Sequence, residues 1–221
     1  MPKTLFAPIL LLLPVLALAD AFVIDPDESV FAIATQRGGI AGRMAHDHLV
    51  HAGHYDYELT VEGDALEQSA FSLTLAAEEL VADEAEALER WWPRIRELGL
   101  VPRGASSFSE GERTDIREAM LGEDQLDADN HPEITAELLE IVESSNGDAT
   151  HSARVAMTVV GETVEYDFDA DISLEGDTLT VEAYTTAKFT DFGIPPYRAF
   201  LGAVRNQDEF VVFVSFRAER E

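Results

Sequence analysis

Val164, Tyr166, Phe168, Ala170, Ile172 and Leu174 alternate without a slip against Glu165, Asp167, Asp169 and Asp171. Strand side chains point to opposite faces in turn, so this segment is a β-strand with one apolar and one wet face. Such a face is stable only where other elements bury it. Tyr55, Tyr57, Leu59 and Val61 repeat the pattern against Asp56, Glu58, Thr60 and Glu62, and Glu62-Gly63-Asp64 turns the chain into Phe71, Leu73 and Leu75. Glu175-Gly176-Asp177 and Ser145-Asn146-Gly147-Asp148 are hairpin signals, the first leading into 178–189 and the second joining 133–144 to 150–160. With 29–37 and 208–219 the count reaches about eight strands joined by short loops. Short loops make sequential strands antiparallel neighbours, and eight of them close into a barrel whose interior holds one small ligand. The expected fold is therefore mainly all-β, an eight-stranded antiparallel barrel.

The period changes between residues 83 and 122. Leu88, Trp91, Trp92, Ile95 and Leu98 share one helical face, and Pro93 is expected to kink that helix. Asp83 with Glu86, and Ser109 with Glu112, read as capping boxes, and Gly122 as the end of the second helix. This helical insertion is expected to cover an open end of the barrel, with the paired tryptophans in the core beneath it.

At the N-terminus, Lys3 precedes an apolar run from Leu5 to Leu18, and small residues surround Ala19. Residues 1–19 read as a signal peptide for Sec export, leaving a domain of residues 20–221 in the periplasm. No later run is apolar for long enough to cross a membrane. The chain has no cysteine, which excludes disulfides, thiol catalysis and thiolate metal sites. Its net charge of −28, with only Lys3 and Lys188 as lysines among 15 basic side chains, argues against nucleic acid as a partner. A homodimer is one of the open alternatives for the chain's assembly.

One constellation could carry chemistry. His46-Asp47-His48-Leu49-Val50-His51-Ala52-Gly53-His54 concentrates four of the six histidines. In an extended segment His46, His48 and His54 share a face and His51 takes the other. Histidines at i and i+2 can share one zinc or copper ion, with Asp47 or a distant group completing the shell. The alternative is that they line a strand end and hydrogen-bond there. No Gly-x-Ser-x-Gly elbow, phosphate-binding glycine loop or His-Glu-x-x-His helix is present, so no catalytic residues are assigned and no enzymatic activity is expected.

Three ordered motifs carry a resemblance. They are Ile24-Asp25-Pro26-Asp27-Glu28-Ser29 before a strand; Asp115-Ile116-Arg117 followed by Leu126-Asp127-Ala128-Asp129-Asn130-His131-Pro132-Glu133-Ile134; and Phe189-Thr190-Asp191-Phe192-Gly193-Ile194 with Gly202-Ala203-Val204 before Asp208-Glu209-Phe210. In this order they resemble the YceI-like domain family over essentially the whole domain. The resemblance implies an exported, lipocalin-like barrel holding an isoprenoid or fatty chain, with no established enzymatic activity. The insertion from Asp83 to about Ala105 and the Ala45-His46-Asp47-His48 segment depart from that family's pattern and mark a variant branch.

A barrel turns one face of every strand inward. Phe31, Ile33, Leu73, Leu75, Phe168, Ile172, Val212 and Val214 are the residues expected to line a cavity or to fill it, since both need the same residue types. The expected function is that of an exported carrier for an apolar small-molecule ligand, a lipid or isoprenoid. The alternative is a periplasmic metal-binding protein using His46 and His48, with His51 or His54 assisting.

Overall fold

The computed structural model describes residues 19–38, 46–145, 147, 149–199 and 204–221. Residues 1–18 of the expected signal peptide lie outside these, as do Ala45, Asn146, Asp148, Gly202 and Ala203 of the segments named above. The strands are β1 (Ala19–Ile24), β2 (Val30–Gly38), β3 (His48–Ala52), β4 (Asp56–Glu62), β5 (Ala65–Ala76) and β6 (Leu80–Ala82). Two helices follow, α1 (Ala85–Glu97) and α2 (Glu110–Leu121). Then come β7 (Glu133–Glu143), β8 (His151–Val159), β9 (Glu162–Glu175), β10 (Thr178–Lys188), β11 (Arg198–Ala199) and β12 (Val204–Arg220).

Antiparallel ladders run β1–β4–β5–β7–β8–β9–β10–β12, and β12 pairs back to β1 through Phe22↔Arg220 and Ile24↔Ala218. That return closes the expected eight-stranded barrel. Three of the additional strands come from breaks within long ones, between β1 and β2, β3 and β4, and β5 and β6, while β11 is a two-residue partner of the start of β12. β1 and β2 lie on the same edge of β12, separated by a turn at Pro26–Glu28 that the Asp25 side chain caps through the Asp27 N–H. β3 and β4 are parted at Gly53, where a Cβ would stand 2.9 Å from Val81 Cγ2 and 3.0 Å from the Glu79 carbonyl oxygen, so only glycine lets the chains approach. The Gly53 N–H donates to that carbonyl at 2.8 Å.

β2 is apolar on both faces, and the fold uses both. Phe31 and Ile33 face inward, while Val30, Ala32 and Ala34 turn outward beneath α1, where Leu88, Trp92 and Ile95 pack on them with Leu49 and Phe213. The small alanines admit the helix closely, and Arg94 fixes it to β10 through paired bonds of 2.8 and 2.7 Å to Glu182. α1 therefore coats the outer wall instead of closing an end, contrary to expectation. The reason is legible in β2: an outward apolar face needs a cover of its own. The segment after α2 does reach the barrel interior, through Leu126, and Met120 of α2 does so too.

The Ser109–Glu112 capping box forms as expected. The Asp83–Glu86 box does not: α1 is capped by Glu84, without a side-chain bond, and Asp83 turns inward with φ +53°. Two ladders are incomplete: β9 and β10 pair only from Thr178↔Glu175 to Tyr184↔Asp169, and the gap between β5 and β7 is the one beside exposed apolar side chains. β5 and β7 pair only from Ser72↔Glu137 to Ala76↔Glu133. Beyond that point residues 65–71 and 138–143 diverge, β7 bulges between Leu138 and Glu140, and Leu139 and Val142 stand 46% and 45% exposed along its edge.

Candidate functional site: an apolar cavity with a polar end

The inward faces enclose a cavity of about 270 Å³. Phe31, Ile33, Leu73, Leu75, Phe168, Ile172, Val212 and Val214 all line it. Among the described residues its only polar side chains are Ser69, Gln125 and Thr135, and none of its lining is charged. Aromatic rings gather in two places. Phe31 stacks on Phe71 and Phe216, with centroids 5.9 Å away from each, while Phe189 and Phe210 lie 4.6 Å apart with Phe192 in the same cluster. Leucine, valine, isoleucine and methionine complete the wall, so the cavity offers dispersion contact and little hydrogen bonding.

Several lining residues have no strand alternation to announce them. Met120, Gln125 and Leu126 come from the end of α2 and the loop after it, and Phe192 and Ile194 from the turn after β10. Leu126 sits in the Leu126–Ile134 motif, the one signal that could have singled it out.

The histidines do not assemble. β3 places His48 and His51 on opposite faces, and the chain breaks at Gly53 before the exposed His54. His48 Nδ1 lies 2.6 Å from Asp83 Oδ2, His51 Nε2 lies 3.2 Å from Glu84 Oε2, and His46 Nδ1 lies 3.3 Å from Ser106 Oγ. The rings of His46 and His48 are 6.5 Å apart, and Phe108 lies 5.2 Å from each. Among the described residues no group of three or more His, Cys, Asp or Glu could hold a metal ion. Asp47, the other suggested ligand, is buried and committed: Oδ1 accepts the Arg37 N–H at 2.7 Å, and Oδ2 faces Arg103 Nη1 at 3.6 Å.

Two tyrosines are held protonated. Burial pushes the Tyr55 phenol up, aided by Tyr57. Burial and a 2.8 Å bond to Asp191 push Tyr166 up to about 12.

The family model of the YceI-like domain matches residues 22–218. The chain belongs to the YceI-like family. Its YceI-like barrel is similar to that of Burkholderia cenocepacia BcnA, with a TM-score of 0.61 at 11% identity over 88% of this chain and 99% of that one. A polyisoprenoid binding domain from Saccharophagus degradans, implicated in plant cell wall breakdown, matches with TM-score 0.52 at 6% identity over 91% and 99%. The Campylobacter jejuni YCEI protein matches with TM-score 0.52 at 10% identity over 78% and 84%. At these identities the likeness is one of fold. No curated protein matches the chain. No described helix of this YceI-like chain is long and apolar enough to cross a membrane.

Proposed function

We propose that this YceI-like protein is an exported, periplasmic carrier that holds a long apolar chain, an isoprenoid or fatty lipid, inside its barrel and performs no chemical step on it. The observation that carries the reading is the cavity itself: an uncharged space lined by apolar side chains from all round the barrel. Burying a chain there is worth about 0.8 kcal/mol per methylene, so selectivity follows length and shape more than hydrogen bonding. The described polyisoprenoid binding by the Saccharophagus degradans domain supports the same ligand class. The export reading draws on the apolar run from Leu5 to Leu18 and the small residues around Ala19.

Native mass spectrometry of protein purified without chelator or imidazole, followed by denaturing mass analysis, tests the reading. The expected result is an adduct of several hundred daltons that extracts into organic solvent. A chain free of any adduct that also fails to take up an added isoprenoid sinks the carrier reading. A metal-sized adduct alone, lost on His46→Ala with His48→Ala, moves the function to the histidine segment.

A further inference from the structure

We propose that one end of the barrel contains a hydroxyl-binding subsite, built from Thr35 and the His48–Asp83 pair, which takes the terminal hydroxyl of a long-chain alcohol whose tail lies in the cavity. It rests on the carrier reading above. Ile33 lines the cavity from β2 and Val50 lines it from β3. Side chains alternate along a strand, so Thr35 and His48 continue those inner faces two residues further toward the barrel end. The two are direct cross-strand partners, and on its other side Thr35 is the partner of cavity-lining Phe210. Directly opposed side chains have Cβ atoms about 5 Å apart, which makes the Thr35 hydroxyl and the His48 ring neighbours just beyond the residues that line the cavity.

Two unmet polar groups meet there. Thr35 is 5% exposed, and its Oγ1 is enclosed with no hydrogen-bond partner among the described residues. Buried hydroxyls are seldom left so, because losing water without a replacement bond is unfavourable. The second group is the imidazole of His48. Its Nδ1 is engaged by the wholly buried Asp83 carboxylate, whose other oxygen accepts the Leu49 N–H at 3.0 Å. That anchoring fixes the ring, and stacking against Phe108 holds its plane. In the neutral ring Nδ1 then carries the proton and Nε2 the lone pair, and no described protein group takes Nε2.

A hydroxyl satisfies both groups: it donates to Nε2 of His48 and accepts from the Thr35 hydroxyl. A hydrocarbon terminus satisfies neither. A phosphate is disfavoured, because the buried carboxylates of Asp47 and Asp83 stand at this end, Arg103 is engaged by Asp47, and Arg37 also has a partner. No arginine or lysine lines the cavity among the described residues.

The test uses the delipidated full-length protein and three probes of one chain: geranylgeraniol, the matching hydrocarbon and the matching monophosphate. The wild-type protein should bind the alcohol about ten-fold more tightly than the hydrocarbon. Thr35→Val keeps the shape and removes only the hydroxyl; His48→Asn keeps a donor toward Asp83 and removes the Nε2 position. Each should bring the alcohol to within about two-fold of the hydrocarbon while hydrocarbon affinity stays unchanged. Should His48→Asn fail to fold, Thr35→Val decides alone. Equal affinity for alcohol and hydrocarbon in the wild type, or a preference for the monophosphate, overturns the subsite and leaves the carrier reading standing. Failure of all three probes to bind overturns the carrier reading itself.

Discussion

His48 Nδ1 meets the wholly buried carboxylate of Asp83 at 2.6 Å, so the junction of β3, β6 and α1 turns on one acidic side chain. Asp83 also accepts the Leu49 N–H at 3.0 Å, and it does so with φ +53°, a conformation that Asp, Asn and Gly tolerate and alanine resists. Asp83→Asn should cost least, since the amide oxygen still accepts from Leu49. Asp83→Gly removes both bonds without backbone strain and should cost about 2–3 kcal/mol; Asp83→Ala adds about 1 kcal/mol of strain to the same loss. Urea unfolding midpoints of the three variants check the order Asn, Gly, Ala. If Gly and Ala coincide, the backbone contributes nothing and the side chain alone matters.

That role explains what could and could not be read from the sequence. The alternations at Tyr55–Val61 and Val164–Leu174 were legible because each strand there is wet on one face. β2 was legible as a strand but not as the seat of α1, since Val30, Ala32 and Ala34 look the same whether they face a cavity or a helix. Asp83 three residues before Glu86 has the spacing of a capping box, yet a half-buried histidine 35 positions earlier in the chain claims its carboxylate instead. No local pattern encodes that long-range partner. The cavity lining was legible where strands supply it and illegible at Leu126, Phe192 and Ile194, where loops do.

Tyr166 donates its hydroxyl to Asp191, and its pKa is pushed up to about 12 from an ordinary value of 10.0, by burial first and the bond second. A folded pKa above the unfolded one means that the fold favours the protonated phenol. This contribution is complete below about pH 10 and is lost as pH rises through about 12. Tyr166→Phe should therefore flatten the fall in denaturant midpoint across that window, while titration of tyrosinate absorbance should lose its most alkaline step. An unchanged slope in the variant would assign the alkaline loss to other groups.

Trp91 and Trp92 are neighbours with unequal roles. Trp92 is 2% exposed, packs between α1 and the outer face of β2, and donates its indole N–H to the Arg103 carbonyl at 2.9 Å. Trp91 lies half-buried near Phe213 with the Arg90 guanidinium over its ring at 4.8 Å. Trp92→Ala should cost about 3–5 kcal/mol, and Trp91→Ala clearly less. Because α1 coats the outside wall, Trp91→Ala should leave apolar-ligand affinity unchanged. A loss of affinity on changing Trp91 would place α1 at the ligand instead of behind the wall.

The incomplete ladder between β5 and β7 gives the last test, because it offers an apolar chain a way through the wall. Backbone groups of residues 65–71 and 138–143 lack each other as partners, Leu66 and Ser69 line the cavity beside the divergence, and Leu139 and Val142 form an exposed apolar rim. A lipid crossing there passes from the exposed Leu139 and Val142 to the cavity-lining Leu66 and Leu138, a shorter stretch of polar surface than a route across the charged exterior. The chain has no cysteine, so Ala70→Cys with Leu139→Cys supplies a unique pair across the opening, both positions being exposed. Joining the pair with a short bis-maleimide should slow uptake and release of a fluorescent isoprenoid by about ten-fold or more, with equilibrium affinity nearly unchanged, since a barrier raised by 1.4 kcal/mol slows passage ten-fold in both directions. Exchange as fast in the joined protein as in the two single-cysteine variants would show that the ligand passes through an end of the barrel, and that the divergence of β5 from β7 serves only to relieve the bulge at Leu139.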